Sequence, residues 1–196
     1  MNKNKTRHLI FIANKINPST LLILPKNSGL EKYRAQLEKL PNKKVIVRAE
    51  DVAFFIELMK EQGKDCVGLT GEDLFCEYKL NNTHTNVKVI QKVLWNDPTA
   101  MFGKPALCLL GKKGKLLASS TIAINKKYAS LAEQYFLQNT TPKNKIYFSG
   151  STETAVEINI ADFVMDIVYS GKSANQVGLN VFDKLIESDV VVLAWN

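Results

Sequence analysis

Short apolar runs alternate with amphipathic stretches along most of this chain. Leu21-Leu-Ile-Leu24 is apolar throughout and stops at Pro25, which predicts a buried strand. Residues 31–40 place Tyr33, Leu37 and Leu40 on one helical face, and Pro41 ends the helix. Lys44-Val-Ile-Val-Arg48 predicts a second strand. Asp51 can cap a helix that turns Val52, Phe55, Ile56 and Met59 inward, with Gly63 closing it. Asp65-Cys-Val-Gly-Leu69 predicts a third strand, which runs into Thr70-Gly71-Glu72-Asp73.

Residues 87–94 read as a strand, and Asn96-Asp97-Pro98 breaks the pattern. Residues 106–110 and 121–124 predict strands around a Gly-Lys-Lys-Gly turn region. Tyr128, Leu131, Ala132 and Tyr135 line a helix. A strand over 145–148, a short helix over 152–158 and a strand over 164–168 follow. Residues 181–187 predict a helix, and 190–194 a closing strand. This alternation argues α/β architecture with largely parallel sheets. The break at 96–98 is the expected hinge between two lobes. Residues 19–96 with 179–196 would form lobe I, 97–178 lobe II, and 1–18 an N-terminal extension.

Composition narrows the partners more than the fold. A chain of 196 residues can build one large domain or two small lobes with a real core. No apolar run approaches the roughly 20 residues that a spanning helix needs. The apolar stretch after Lys5 is too short for a signal peptide and is interrupted by Asn14-Lys15, so a cytoplasmic location is expected. The formal net charge of +7 favours anionic partners, but the lysines are scattered; the densest groups are Lys43-Lys44, Lys112-Lys113-Gly-Lys115 and Lys126-Lys127. No helix-turn-helix, zinc finger or aromatic ribonucleoprotein motif is legible, so nucleic acid is not the expected partner. Cys66, Cys76 and Cys108 form no CxxC, and the two histidines, His8 and His84, stand at no metal-ligand spacing from them. They read as buried thiols in a reducing compartment.

The last third carries the clearest chemistry. The strand ending at Val168 enters Tyr169-Ser-Gly-Lys-Ser-Ala174, a Ser/Gly-rich turn that opens a helix. Such a turn can aim several backbone N–H groups at one phosphate. It is no P-loop: that motif needs Gly five residues before Gly171, where Asp166 stands. Glu153 and Asp166 flank the turn in sequence, and a phosphate cradle with nearby carboxylates suits a phosphorylated sugar, whose hydroxyls need acceptors. Thr70, Gly71 and Asp73 lie past the carboxyl end of another strand, where ligands of open α/β sheets sit, although Asp there also serves as a helix cap. Lys26 and Arg48 follow two further strands and can neutralise phosphates, Arg with a bidentate grip.

In order along the chain these pieces resemble the catalytic chain of the ATP phosphoribosyltransferases. The family's Leu-Pro-Lys-Gly-Arg-Leu is similar to Leu24-Pro-Lys26. Its Arg-x-x-Asp and Gly-x-Asp-x-Gly-Ile-Thr-Gly-x-Asp resemble Arg48, Asp51, Gly63, Asp65, Gly68, Thr70, Gly71 and Asp73. Its Ser-Gly-Ser-Val-Glu resembles Ser149 to Glu153, and its Ala-Asp and Asp-Leu-Val-x-Thr-Gly-x-Thr-Leu-x-x-Asn-Gly-Leu resemble Ala161-Asp162 and 166–179.

The resemblance implies a two-lobed periplasmic-binding-protein-like (type II) fold with the ligand in the cleft. It implies transfer of phosphoribosyl from 5-phosphoribosyl 1-pyrophosphate (PRPP) to N1 of the adenine of ATP, the first step of histidine biosynthesis, with release of pyrophosphate. Mg²⁺ would be carried by the substrates, with no direct protein ligand. Ser170, Gly171, Lys172, Ser173 and Ala174 would hold the 5-phosphate of PRPP. Glu153 and Asp166 would lie near the ribose, Lys26 and Arg48 would face pyrophosphate or triphosphate, and Thr70, Gly71 and Asp73 would line the nucleotide side. The chain resembles the family's short form, which works with a histidyl-tRNA-synthetase-like regulatory subunit, and a homo-oligomer is expected. Asn27-Ser28 stand where the family has Gly-Arg, with one extra residue before Leu30, and Val177 replaces an Asn. These departures keep open an alternative, a non-catalytic nucleotide- or phosphosugar-binding or regulatory relative.

Overall fold

The computed structural model describes residues 16–112 and 114–196. Most of the expected N-terminal extension, residues 1–15, and Lys113 of one basic group therefore lie outside the described residues. The chain divides into two compact units, 1–94 with 189–196 and 95–188.

Unit 1 holds β1 (Leu21–Pro25), α1 (Glu31–Glu38), β2 (Lys44–Val47), α2 (Val52–Glu61), β3 (Cys66–Gly71), α3 (Glu72–Asn81), β4 (Val87–Val93) and β10 (Val190–Trp195). Its sheet runs β2-β1-β3-β10-β4. The first three strands are parallel, and β10 is antiparallel to both β3 and β4. Strand β1 is apolar because it is covered on both faces: Leu22, Ile23 and Leu24 are fully buried. Each such side chain contributes roughly 1.5–3 kcal/mol by leaving water. Helix α2 lies directly on β3, where a Cβ on Gly68 would stand 2.4 Å from Val52 Cγ1. Asn42 Nδ2 donates to the carbonyls of Asn17, Pro18 and Thr20, so residues 17 and 18 belong with this unit rather than with an appended segment.

Unit 2 holds β5 (Ala106–Gly111), β6 (Thr121–Asn125), α4 (Ala129–Gln138), β7 (Asn144–Phe148), α5 (Glu153–Glu157), β8 (Phe163–Val168), α6 (Lys172–Gln176) and β9 (Asn180–Glu187). Its sheet, β7-β6-β8-β5-β9, repeats the plan of the first. Strands β7, β6 and β8 are parallel, and β5 is antiparallel to β8 and β9. In each unit the strand that breaks the parallel run, β10 or β5, is the first one after the chain crosses over. Together the units form an α/β fold of the two-lobed periplasmic-binding-protein-like (type II) kind.

Three expectations need correction. The sheets are mixed rather than largely parallel, because both crossover strands enter antiparallel. Residues 181–187 are the edge strand β9, not a helix. Two register shifts against β5 leave Phe182 and Leu185 as extra residues, and these bulges break the period-two alternation that marks a strand. The apolar pairs Val181-Phe182 and Leu185-Ile186 then fall four residues apart and imitate a helical face. Because β9 pairs with β5, the return to unit 1 comes at 188/189 and not at 179. That return is stitched by Asp189, whose carbonyl accepts from Glu72 N at 2.8 Å and whose carboxylate lies 3.5 Å from Lys92 Nζ.

Candidate functional site

Parallel strands bring their carboxyl ends to one edge of a sheet, and the loops there supply ligand contacts in open α/β folds. In unit 2 that edge collects Asn125 at the end of β6, Ser149 to Thr152 after β7, and Tyr169 to Gly171 after β8. In unit 1 the matching edge collects Lys26, Arg48 and the Thr70-Gly71 pair.

The turn after β8 has the conformation expected of a close-approach loop. Gly171 adopts φ +71°, and a Cβ there would meet Met101 Cε at 2.3 Å. Met101 is itself tied to the turn, its N–H donating to the Tyr169 carbonyl at 2.7 Å. Ser170 is half-buried, Lys172 and Ser173 are exposed, and Gly171 and Ala174 are buried. The amides of Lys172 to Ala174 form the first turn of α6, where no carbonyl four residues back completes the helical ladder.

Two of the expected site residues meet directly: Ser173 Oγ donates to Glu153 Oε1 at 3.0 Å. Glu153 opens α5 and is half-buried. Asp166 lies deeper. It is 8% exposed and accepts from Thr152 Oγ1 at 2.6 Å, Asn125 Nδ2 at 2.9 Å and the Ile167 N–H at 2.7 Å. Burial pushes its carboxyl above the usual carboxylate range, opposed by these three hydrogen bonds and reinforced by the charge of Glu153.

In unit 1, Lys26 has an exposed side chain, while its backbone N–H donates to Val47 O at 2.6 Å. Arg48 is exposed but engaged. Its guanidinium forks onto Asp51 at 2.9 and 3.4 Å and lies 3.8 Å from Glu50, which raises its pKa further. Asp51 therefore turns to Arg48 and does not cap α2 through its side chain. Thr70 and Asp73 are buried, and the Thr70 hydroxyl donates to the Ala49 carbonyl at 2.6 Å. That bond makes Thr70 a brace for the turn after β2. Gly71 ends β3 and is buried at the start of α3.

Sequence reasoning missed Asn125 and gave Thr152 no role of its own. Asn125 carries a cap signature, an Asn between an apolar run and a helical turn, and its side chain accepts from Lys127 N at 3.2 Å. Nothing local marks its second contact, to Asp166 on another strand.

A family model described as ATP phosphoribosyltransferase (HisG) matches residues 48–196. The ATP phosphoribosyltransferase of Hydrogenobaculum sp. is 28% identical over 152 residues, covering 76% of this chain and 67% of that protein. Those of Aquifex aeolicus (24%, covering 76% and 64%) and Streptomyces avermitilis (28%, covering 75% and 47%) are similar to it as well. The chain thus spans about half to two thirds of the length of these curated relatives. Among solved structures, a chain of the ATP phosphoribosyl transferase (HisG:HisZ) complex from Thermotoga maritima shares the fold. Its TM-score is 0.70 at 19% identity, over 89% of this chain and 87% of that one. YhfZ from Shigella flexneri resembles it in fold at a TM-score of 0.54 and 14% identity, over 92% and 84%.

Proposed function

Because the chain belongs to the ATP phosphoribosyltransferase family, we propose that it transfers phosphoribosyl from PRPP to N1 of the adenine of ATP and releases pyrophosphate, as the first step of histidine biosynthesis. One observation in the site carries the reading. The Ser/Gly turn after β8 and the carboxylate of Glu153 are joined through Ser173, which sets an acceptor for sugar hydroxyls beside the turn proposed for the phosphate.

In this reading Ser170 to Ala174 hold the 5-phosphate and Glu153 accepts from a ribose hydroxyl. Asp166, buried and already accepting three hydrogen bonds, supports the site from below. The bond from the anomeric carbon to the pyrophosphate oxygen breaks, and the adenine N1 lone pair forms the new C–N bond. Positive charge builds on the sugar and negative charge on the leaving group. Positioned donors and cations stabilise that separation without a general base. Lys26 and Arg48 are the proposed cations for polyphosphate, Arg48 after exchanging Asp51 for phosphate oxygens. The backbone around Thr70, Gly71 and Asp73 is the proposed nucleotide side, with Thr70 as its brace.

Mg²⁺ is the proposed cofactor; carried by the polyphosphate substrates, it would offset their charge. A homo-oligomer and a histidyl-tRNA-synthetase-like regulatory subunit are the proposed assembly. The Thermotoga maritima chain that shares the fold belongs to a HisG:HisZ complex. No helix among the described residues is long and apolar enough to cross a membrane, and the proposed location is the cytoplasm.

The test is pyrophosphate release by the purified chain with ATP, PRPP and Mg²⁺, with and without that subunit. Release that needs both substrates supports the transferase. The engagement of Arg48 by Asp51 and Glu50 favours one second reading, a non-catalytic binding relative. Silence in both conditions, in a protein that still binds PRPP or ATP by calorimetry, would select it.

A further inference from the structure

We propose that Asn125 is a positioning residue for this site: its side-chain amide fixes the Asp166 carboxylate against Thr152, and so sets the first turn of α5 on which Glu153 stands. The inference rests on the phosphoribosyl reading of the site and adds to it a residue outside every motif that carries the family resemblance.

The orientation of the amide is determined at both ends. Lys127 N donates to Asn125 Oδ1 at 3.2 Å, so the NH₂ group is the end that meets Asp166 Oδ1, at 2.9 Å. The same carboxylate oxygen takes the Ile167 N–H, and the other takes the Thr152 hydroxyl. Asp166 is thereby held from three sides. Thr152 occupies the N-cap position of α5 but makes no capping bond with its side chain. Its hydroxyl turns to Asp166 instead, and Thr152 is fully buried. The start of α5 is therefore placed by Asp166 rather than by a local cap. Glu153, the next residue, reaches Ser173 in the phosphate turn. A chain of contacts thus runs from the end of β6 through β8 to α5 and α6, and Asn125 is its first link.

The charged group whose field reaches Asp166 is Glu153, from α5. Across the ladder on β5 stands the thiol of Cys108, pushed up to about 12 by burial, with Lys184 and Asp183 of β9 acting on it. Lys127 meets the network through its backbone amide.

Asn125→Asp tests the proposal. The new side chain keeps the shape and the acceptor for Lys127 N, so the turn at Lys126–Tyr128 stays capped. It loses the donor and sets a second carboxylate beside Asp166. At pH 8 the KM for PRPP is expected to rise at least tenfold, with the KM for ATP within twofold. Lowering the pH until the two carboxyls share one proton restores most of the PRPP affinity relative to wild type, because a shared proton re-forms the bond. A PRPP KM within twofold of wild type at pH 8, equal losses for ATP and PRPP, or a loss that does not reverse with pH would overturn the proposal. If that variant does not fold, Asn125→Ser keeps a capping oxygen without the charge, and a selective, pH-independent rise in the PRPP KM is expected. Amide hydrogen exchange reads the network without substrate, so failure of the transferase reading stays distinguishable. Faster exchange in the first turn of α5 with α4 unchanged supports positioning. Loosening of α4 alone reduces Asn125 to a cap.

Discussion

Ser173 and Glu153 lie twenty positions apart and are joined by a 3.0 Å hydrogen bond from hydroxyl to carboxylate. The bond couples the turn proposed for the 5-phosphate to the carboxylate proposed for the ribose. Replacing Glu153 with Ala should therefore lower kcat/KM for PRPP by about two orders of magnitude, the scale for losing one positioned electrostatic contact. Glu153 is half-buried on a short helix, so the melting temperature should move little. Steady-state kinetics with each substrate varied, beside a thermal melt, check both halves. Unchanged kinetics would remove Glu153 from the site.

The double substitution Lys172→Ala with Ser173→Ala takes one charge and one hydroxyl from the phosphate turn while leaving Gly171 and the backbone in place. PRPP binding should weaken more than tenfold, and ATP binding by less than threefold. Calorimetric titration of each ligand decides it. Equal losses would argue against a 5-phosphate cradle.

Arg48 is the cation whose availability depends on a neighbour. Asp51 holds it by two hydrogen bonds, and Glu50 stands nearby. Asp51→Asn removes the competing charge, so Arg48 should bind tripolyphosphate several-fold more tightly, with a steeper dependence on salt. Isothermal titration at two ionic strengths measures this. No gain in affinity would mean that Arg48 does not meet polyphosphate.

The pH dependence of stability has a sign fixed by Asp166. Burial raises its carboxyl above the unfolded value. The protonated form is thus favoured in the fold, and that contribution is complete below the unfolded pKa and lost as pH rises through the folded one. Asp166→Asn stays neutral at every pH, and its oxygen can still accept from Asn125 and Ile167. Its melting temperature relative to wild type should therefore rise as the pH climbs from the ordinary carboxylate range, about pH 4, through the raised folded value. A relative stability that falls over this range would reverse the assignment.

Local features of the chain located most of the fold. Pro25 is the last residue of β1 and Pro41 lies just past the end of α1 at Glu38, and the uninterrupted apolar run of β1 matches a strand covered on both faces. Strand β9 was hidden because its two bulges shift side chains between faces and imitate a helical repeat. The site was legible where residues adjoin one turn, as at 170–174. It was not legible where tertiary pairing makes the contact. Asn125 meets Asp166 only because β6 and β8 run parallel, side by side. The Arg48–Asp51 spacing was visible, but an Asp before a helix fits a cap equally well, and only the fold shows that the guanidinium takes it. The position of Thr70 at a strand end suits a ligand contact, but its hydroxyl turns in to Ala49.

The link between stability and the site is sharpest at Thr152. Its hydroxyl is fully buried and donates to Asp166 Oδ2 at 2.6 Å. Thr152→Val keeps the shape and removes the donor, leaving a buried carboxylate oxygen without that hydrogen bond. Such a loss costs about 1–3 kcal/mol, which urea unfolding with an unchanged m-value can measure. The defect should not stay structural. With Thr152 released from Asp166, the first turn of α5 loses its anchor, and the KM for PRPP should rise while that for ATP holds. A variant that loses stability but keeps both KM values would show that the Thr152–Asp166 bond supports the fold alone.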